Sequence, residues 1–218
     1  MTTVEQEIER HRGAGRMLSV DGVSMFVRDE GTGPPVVCMH GVPVSSYVYR
    51  HVLSGLSTRG LRGIAFDYPG LGLSDRPRDY DYRWTNLGRM STLAIDALGC
   101  EKFHLVVHDI GGPVGFEIAT TVPERILSLT ILNTLVNVAS FSRPWSMQPF
   151  AVPGLGYLWL KSAVPPVFAQ LFYLQGFHRS VPPVVPKTHH RLLVREDGGR
   201  AFLKIMQRFE LTAEKERL

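Results

Sequence analysis

Short apolar runs alternate with amphipathic stretches over the first two thirds of the chain. Two runs of alternating polarity, 16–20 and 24–28, flank Asp21-Gly22 and predict a β-hairpin. Near-continuous apolar runs, typical of strands buried on both faces, lie at 36–40, 63–67, 103–108 and 127–133. Helices are predicted between these strands, over 46–58, over 87–98 and directly after Asp109. The alternation predicts an α/β fold with a mostly parallel sheet.

The pattern changes at about residue 142. Aromatic residues lie among many prolines from there on, without the alternation of a strand. We expect a core over 1–141 and a helical cap over 142–218. The uncharged stretches 144–160 and 162–177 are interrupted by prolines, which argues against a membrane span. The first ten residues are too polar for a secretory signal, so the default expectation is a cytoplasmic protein.

Composition excludes several classes of function. The 218 residues are 44% hydrophobic and 20% charged, with a net charge of +4. Lysine and arginine form no block longer than a pair, so no nucleic-acid partner is expected. Cys38 and Cys100 lack metal-ligand spacing, and Cys38 lies in an apolar run, which favours a buried free thiol over a disulfide. The oligomeric state stays open.

The main candidate for chemistry is Asp109. It ends the apolar run 103–108, and Gly111 and Gly112 follow it at the start of a predicted helix. A strand, a sharp turn and a helix form the nucleophile elbow, in which small neighbours let a strained turn present a side chain. A carboxylate nucleophile suits displacement at saturated carbon through an alkyl-enzyme ester. The alternative is a turn residue that caps the helix.

Three segments together resemble the α/β-hydrolase superfamily, and within it the haloalkane dehalogenase and epoxide hydrolase branch. They are HGVPVSSYVYR at 40–50, DYPGLGLSDRP at 67–77 and VHDIGG at 107–112. The resemblance implies an α/β-hydrolase sheet with Asp109 as nucleophile and the backbone N–H groups of Val42 and Ile110 as oxyanion hole. It assigns the motif positions His40, Gly41, His108, Gly111 and Gly112. It implies hydrolysis of a small apolar epoxide or alkyl halide, without a metal or an organic cofactor.

The chain departs from that pattern where the leaving group would be held. Members of the branch hold a halide with hydrogen bonds from side chains at two positions. In this chain those positions are Val42 and Ile110, whose side chains cannot donate a hydrogen bond. Trp145 or Trp159 in the cap could supply an indole donor, and Tyr157 or Tyr173 could protonate an epoxide. The residues that could line a substrate pocket are Trp145, Phe150, Trp159, Phe168 and Tyr173. The alternative for most of these aromatics is the cap's own core.

The acid and the histidine base of such an enzyme are not found. None of the eight histidines follows a late strand, and Asn133 occupies one position at which the branch carries the acid. Residues 211–218 have the pattern of a helix start with Thr212 as N-cap. We therefore expect a C-terminally truncated form, without the final strands and helices, whose last strand is an exposed edge. The alternative function is a catalytically incomplete fragment that binds ligands or is inert.

Four further groups of polar residues are expected to have structural roles. Asp67 and Asp75 should stabilise turns. Glu196-Asp197 is predicted to be a solvated turn, and His189-His190 are predicted to be solvated or structural.

Overall fold

Six strands form one sheet in the part of the chain that the computed structural model describes, which is 2–137, 141–162, 167–168, 170–171, 174 and 181–211. They are β1 (Arg16–Val20), β2 (Val23–Glu30), β3 (Pro35–Met39), β4 (Arg62–Phe66), β5 (Phe103–Asp109) and β6 (Ile126–Thr134). Their order across the sheet is β1-β2-β4-β3-β5-β6. Strands β4, β3, β5 and β6 run parallel, whereas β1 and β2 pair antiparallel and β2 pairs antiparallel with β4. The predicted mostly parallel α/β sheet is confirmed.

The predicted hairpin is also confirmed. Asp21 and Gly22 join β1 to β2, with φ angles of 47° and 76°. Two successive positive φ angles are the requirement of the type I′ turn, whose twist matches that of the flanking strands. Asp and Gly meet this requirement at low cost, so the turn fixes the register in which Val20 lies opposite Val23.

The α-helices whose bounds lie in the described residues are α1 (Val4–Gly13), α2 (Arg50–Ser57), α3 (Trp84–Ala97), α4 (Gly111–Thr121), α5 (Leu155–Ser162), α6 (Val184–Val194) and α7 (Arg200–Gln207). The predicted helix over 46–58 begins with a separate 3-10 turn, Ser46–Tyr49. Helix α1 was not predicted. Its signal was Thr3 followed by Gln6, which form a capping box at its start.

The apolar core joins the sheet to the cap helix α7. Side chains of β2 to β5, α3 and α4 form one buried cluster, which also contains Phe202 and Ile205 of α7. Phe150 contacts Phe202 with ring centroids 5.0 Å apart. Cys38 and Cys100 are both buried free thiols, as predicted for Cys38. The predicted boundary at residue 141 stays a prediction.

A buried ion pair ties the cap to the core, and it corrects one prediction. Asp197 is not in a solvated turn: its side chain is 5% exposed and pairs with Arg76, whose side chain is 2% exposed, at 2.9 Å. Arg76 also donates to the carbonyls of Leu192 and Leu193 at the end of α6. The loop after β4 is therefore fixed to the loop between α6 and α7.

Strand β6 lies at the edge of the sheet and exposes much of its apolar surface. Leu127, Leu129, Ile131 and Leu132 are all exposed, with Ile131 at 48%. The expectation of an exposed edge strand is confirmed for the described residues. The predicted helix over 211–218 lies almost wholly outside them, as does Tyr173. Across the described ranges, no helix is both long and apolar enough to span a membrane.

Candidate active site

The turn between β5 and α4 has the backbone of an elbow. Asp109 ends β5 with φ of 54°, a left-handed conformation that is uncommon for a residue with a side chain. A Cβ on Gly111 would lie 2.8 Å from the carbonyl oxygen of His40. A Cβ on Gly112 would lie 2.7 Å from Cβ of Thr134. Only glycine fits at these two positions, so the predicted strand–turn–helix arrangement is present.

The carboxylate of Asp109 accepts hydrogen bonds from two backbone amides. The N–H of Val42 donates to Oδ1 over 2.8 Å, and the N–H of Ile110 also donates to the carboxylate. Burial raises the pKa of Asp109, and the two amides and His108 partly offset the effect. The alternative role as a cap is not found, because α4 has no side-chain capping hydrogen bond.

Asp109 is positioned by Thr134, which the sequence did not identify, and by the close approach that Gly41 allows. The hydroxyl of Thr134, at the end of β6, donates a hydrogen bond to the backbone carbonyl of Asp109. The pairing of β5 with β6 shifts register at this point, so that Asp109 lies opposite Thr134. On the other side, a Cβ on Gly41 would overlap Asp109, with its Cγ at 2.6 Å. Gly41 therefore allows the loop after β3 to approach the carboxylate.

His40 supports that loop and is not positioned as a base. It is completely buried, and its Nε2 accepts the N–H of Tyr68 over 3.4 Å. Its Nδ1 must then carry the proton that it donates to the carbonyl of Gly41 over 2.8 Å. Burial lowers the pKa of His40, which keeps the ring neutral.

A cavity of about 840 Å³ opens in front of Asp109. Most of its lining is apolar, and it includes Val42, Ile110, Phe150 and Phe168. Among the residues that the structure describes, the ionisable ones in its lining are Asp109, His108, Arg143 and His189. Asp109 thus faces a largely apolar space, as a pocket for a small organic ligand requires.

Not every predicted pocket residue is in that lining. Trp145 is 63% exposed on the surface, and the indole N–H of Trp159 donates to the carbonyl of Ser146 over 3.0 Å. Neither tryptophan lines the cavity. Tyr157 is exposed and lies beneath Lys161. Tyr173 lies outside the described residues.

Arg143 and His189 are lining residues that the sequence did not identify. His189 is buried, which decides between the two predicted roles in favour of the structural one, and burial lowers its pKa to about 3. Its ring makes an edge-on contact with Tyr47 at 5.1 Å, which fits a structural role. No sequence motif marks Arg143. It reaches the cavity only through the folding of the cap, which a local pattern does not show.

Asp67 and Asp75 both accept backbone hydrogen bonds, but only Asp67 bonds within its own loop as predicted, because the partner of Asp75 lies in β2. Asp67 accepts from the N–H groups of Ser46 and Leu73, each over 2.7 Å. Asp75 accepts from the N–H of Ser24 over 2.9 Å. Within the ranges that the structure covers, no three His, Cys, Asp or Glu side chains form a group that could hold a metal ion.

A family model described as the α/β hydrolase fold matches residues 34–175. The chain is 42% identical over 120 residues to the cis-3-alkyl-4-alkyloxetan-2-one decarboxylase of Shewanella oneidensis, covering 54% of this chain and 37% of that protein. It is 34% identical over 127 residues to haloalkane dehalogenase 2 of Mycobacterium tuberculosis, covering 56% and 44%. It is 34% identical over 185 residues to epoxide hydrolase 3 of Siraitia grosvenorii, covering 78% and 57%.

Solved structures share the fold. Eight of them align with 88% to 93% of this chain at TM-scores of 0.70 to 0.77, with 21% to 24% identity. The chain spans about half the length of the curated relatives that it matches, from 37% to 57%.

Proposed function

Because the chain belongs to the α/β hydrolase fold family, we propose that it is a hydrolase in which Asp109 attacks a small apolar epoxide or alkyl halide. The observation that carries the proposal is the position of the Asp109 carboxylate. It sits at a left-handed turn, accepts two backbone N–H groups and lines an apolar cavity. The identity to a haloalkane dehalogenase and an epoxide hydrolase supports these two substrate classes.

The first step of the proposal forms an ester. Oδ1 of Asp109 is held by the N–H of Val42, so Oδ2 is the oxygen that attacks. With an alkyl halide, Oδ2 bonds to carbon and the carbon–halogen bond breaks, which releases a halide ion. With an epoxide, Oδ2 bonds to carbon, the carbon–oxygen bond breaks and the ring oxygen takes a proton from water. The hydroxide that remains combines with the proton released when the ester is hydrolysed. Burial of Asp109 favours this step, because a poorly hydrated carboxylate loses less solvation when it becomes a neutral ester.

The second step hydrolyses the ester. Water attacks Cγ of Asp109, and the negative charge of the tetrahedral intermediate falls on Oδ1. The N–H groups of Val42 and Ile110 already point at the carboxylate, and a preorganised donor of this kind contributes about 3 kcal/mol. The carboxylate is then regenerated, and the net products are an alcohol with halide and a proton, or a diol.

Mass spectrometry of the protein after incubation with substrate tests the proposal. A 1-haloalkane, a terminal epoxide and an oxetan-2-one are each added in water enriched in ¹⁸O; the oxetan-2-one is included because of the 42% identity to the oxetanone decarboxylase. A trapped ester adds the alkyl mass to the peptide that contains Asp109. A completed cycle instead leaves ¹⁸O in the Asp109 carboxylate, since water attacks its Cγ.

Two variants make the result specific. Asp109→Ala should show neither mass change, whereas Asp81→Asn, which alters a carboxylate paired with Arg83 near the surface, should behave as the wild type. Circular dichroism checks that both variants fold. Absence of both mass changes in the wild-type protein, with all three electrophiles, would overturn the proposal and favour an inert or purely ligand-binding protein.

A further inference from the structure

Arg143 places a positive charge in the same cavity as Asp109. Its Nη2 donates to the backbone carbonyl of Met206 over 3.1 Å, and its guanidinium carbon lies 4.7 Å from the centroid of the Phe209 ring. Met206 and Phe209 also line the cavity. The guanidinium is therefore held against an aromatic face at the cavity wall, which fixes its position.

The charge of Arg143 is not neutralised by the described part of the chain. No carboxylate there lies within ion-pair distance of it, whereas the more deeply buried Arg28 and Arg76 each pair with one. Its Nε is buried and has no hydrogen-bond partner among those residues. Burial lowers the pKa of Arg143, because no anion compensates the lost hydration. A partly desolvated cation without a counterion interacts strongly with an anion that reaches it.

Asp109 does not serve as that anion. The charged group that acts on the Asp109 carboxylate is His108, not Arg143. The cavity thus has a negative group and a separate positive group, joined by apolar walls. A ligand with one anionic group would be repelled by Asp109 and attracted by Arg143, so its apolar part would face Asp109.

We propose that Arg143 binds an anionic group inside the cavity, either a carboxylate of the substrate or the halide that the reaction releases. This deepens the proposed function and rests on it, since it names the substrate chemistry of the same site. The anion would accept hydrogen bonds from the N–H groups of the Arg143 guanidinium. Their planar arrangement fits the two oxygens of a carboxylate.

Binding of unreactive probes tests the inference apart from catalysis. The probes are hexanoate, 1-hexanol and bromide, each titrated in a chloride-free buffer with the rise in melting temperature as the readout. The background is Asp109→Ala, in which no ester can form, so failure of the nucleophile proposal does not affect the outcome. In that background hexanoate should stabilise the protein, and Arg143→Gln should weaken its binding about tenfold or more, the usual effect of losing a charged hydrogen bond.

Three comparisons separate the possible results. Arg143→Lys should retain part of the hexanoate affinity, and Arg59→Gln, the same change of charge on the surface, should retain all of it. Binding of 1-hexanol should be equal in all variants. An Arg143-dependent effect of hexanoate but not of bromide identifies a substrate carboxylate, and an effect of bromide identifies the released halide. If Arg143→Gln left the binding of both hexanoate and bromide unchanged, the inference would be overturned.

Discussion

The buried pair between Arg76 and Asp197 offers a quantitative test of how the cap is attached to the core. Asp197 accepts from Nη1 of Arg76 over 2.9 Å and from the N–H groups of Gly199 and Ala201, each over 2.8 Å. The change Asp197→Ala removes all three interactions. It leaves the Arg76 guanidinium buried with carbonyl acceptors alone, those of Gly72, Leu192 and Leu193.

The structure sets the expected size of the effect. Removing one partner of a buried ion pair costs about 3 to 5 kcal/mol, because the remaining charge is uncompensated. The lost hydrogen bond from the N–H of Ala201, in the first turn of α7, is part of this cost and accounts for about 1 kcal/mol of it. We therefore expect Asp197→Ala to lower the free energy of unfolding by about 4 kcal/mol. Asp197→Asn keeps an oxygen acceptor and should cost about 2 kcal/mol.

Urea unfolding followed by circular dichroism measures the difference. A loss of about 4 kcal/mol lowers the urea midpoint by about 1 to 2 M in a protein of this size. The matched control is Asp81→Ala, which breaks the more exposed pair with Arg83 and should shift the midpoint far less. Equal shifts for Asp197→Ala and Asp81→Ala would refute the reasoning, since burial of the pair would then have no energetic consequence.

Two further predictions concern pH and self-association. Burial lowers the pKa of His11 from 6.5 to about 4. As the pH falls, His11 is therefore protonated in the unfolded chain before it is protonated in the folded protein. The free energy of unfolding should fall as the pH drops from 6.5 towards 4, and His11→Gln should make urea midpoints less dependent on pH in that window; an unchanged dependence would contradict the assignment. Edge strand β6 should promote self-association, so Ile131→Lys should reduce the mass seen by light scattering, whereas Val52→Lys at another exposed position should not.

The elbow could be found in the sequence because its signals are local. The residues of the turn, Asp109, Gly111 and Gly112, are close together in the chain. A tight turn between a strand and a helix needs small residues where the backbones approach closely, and the two glycines meet that need. The amides of Val42 and Ile110 were assigned through a motif, and the structure brings both to the Asp109 carboxylate. The hairpin at Asp21-Gly22 was found for the same reason, since its two positive φ angles select these residue types.

The cap could not be described in this way. Its aromatic residues are compatible with both a pocket and a core, and no periodicity separates the two. The structure decided that Phe150 and Phe168 line the cavity while Trp145 faces outwards. Asp197 was expected in a solvated turn because its partner, Arg76, is more than a hundred residues away in the chain.

The sequence by itself determined the α/β alternation, the parallel core strands and the turn that presents Asp109, because each depends on hydrophobic period or on backbone conformations that few residues adopt. Only the tertiary structure decided which charges share the cavity, that Thr134 bonds the carbonyl of Asp109 and that Arg76 meets Asp197. These contacts join residues distant in the chain. Their energies depend on burial and geometry, which exist only once the sheet and the cap are packed together.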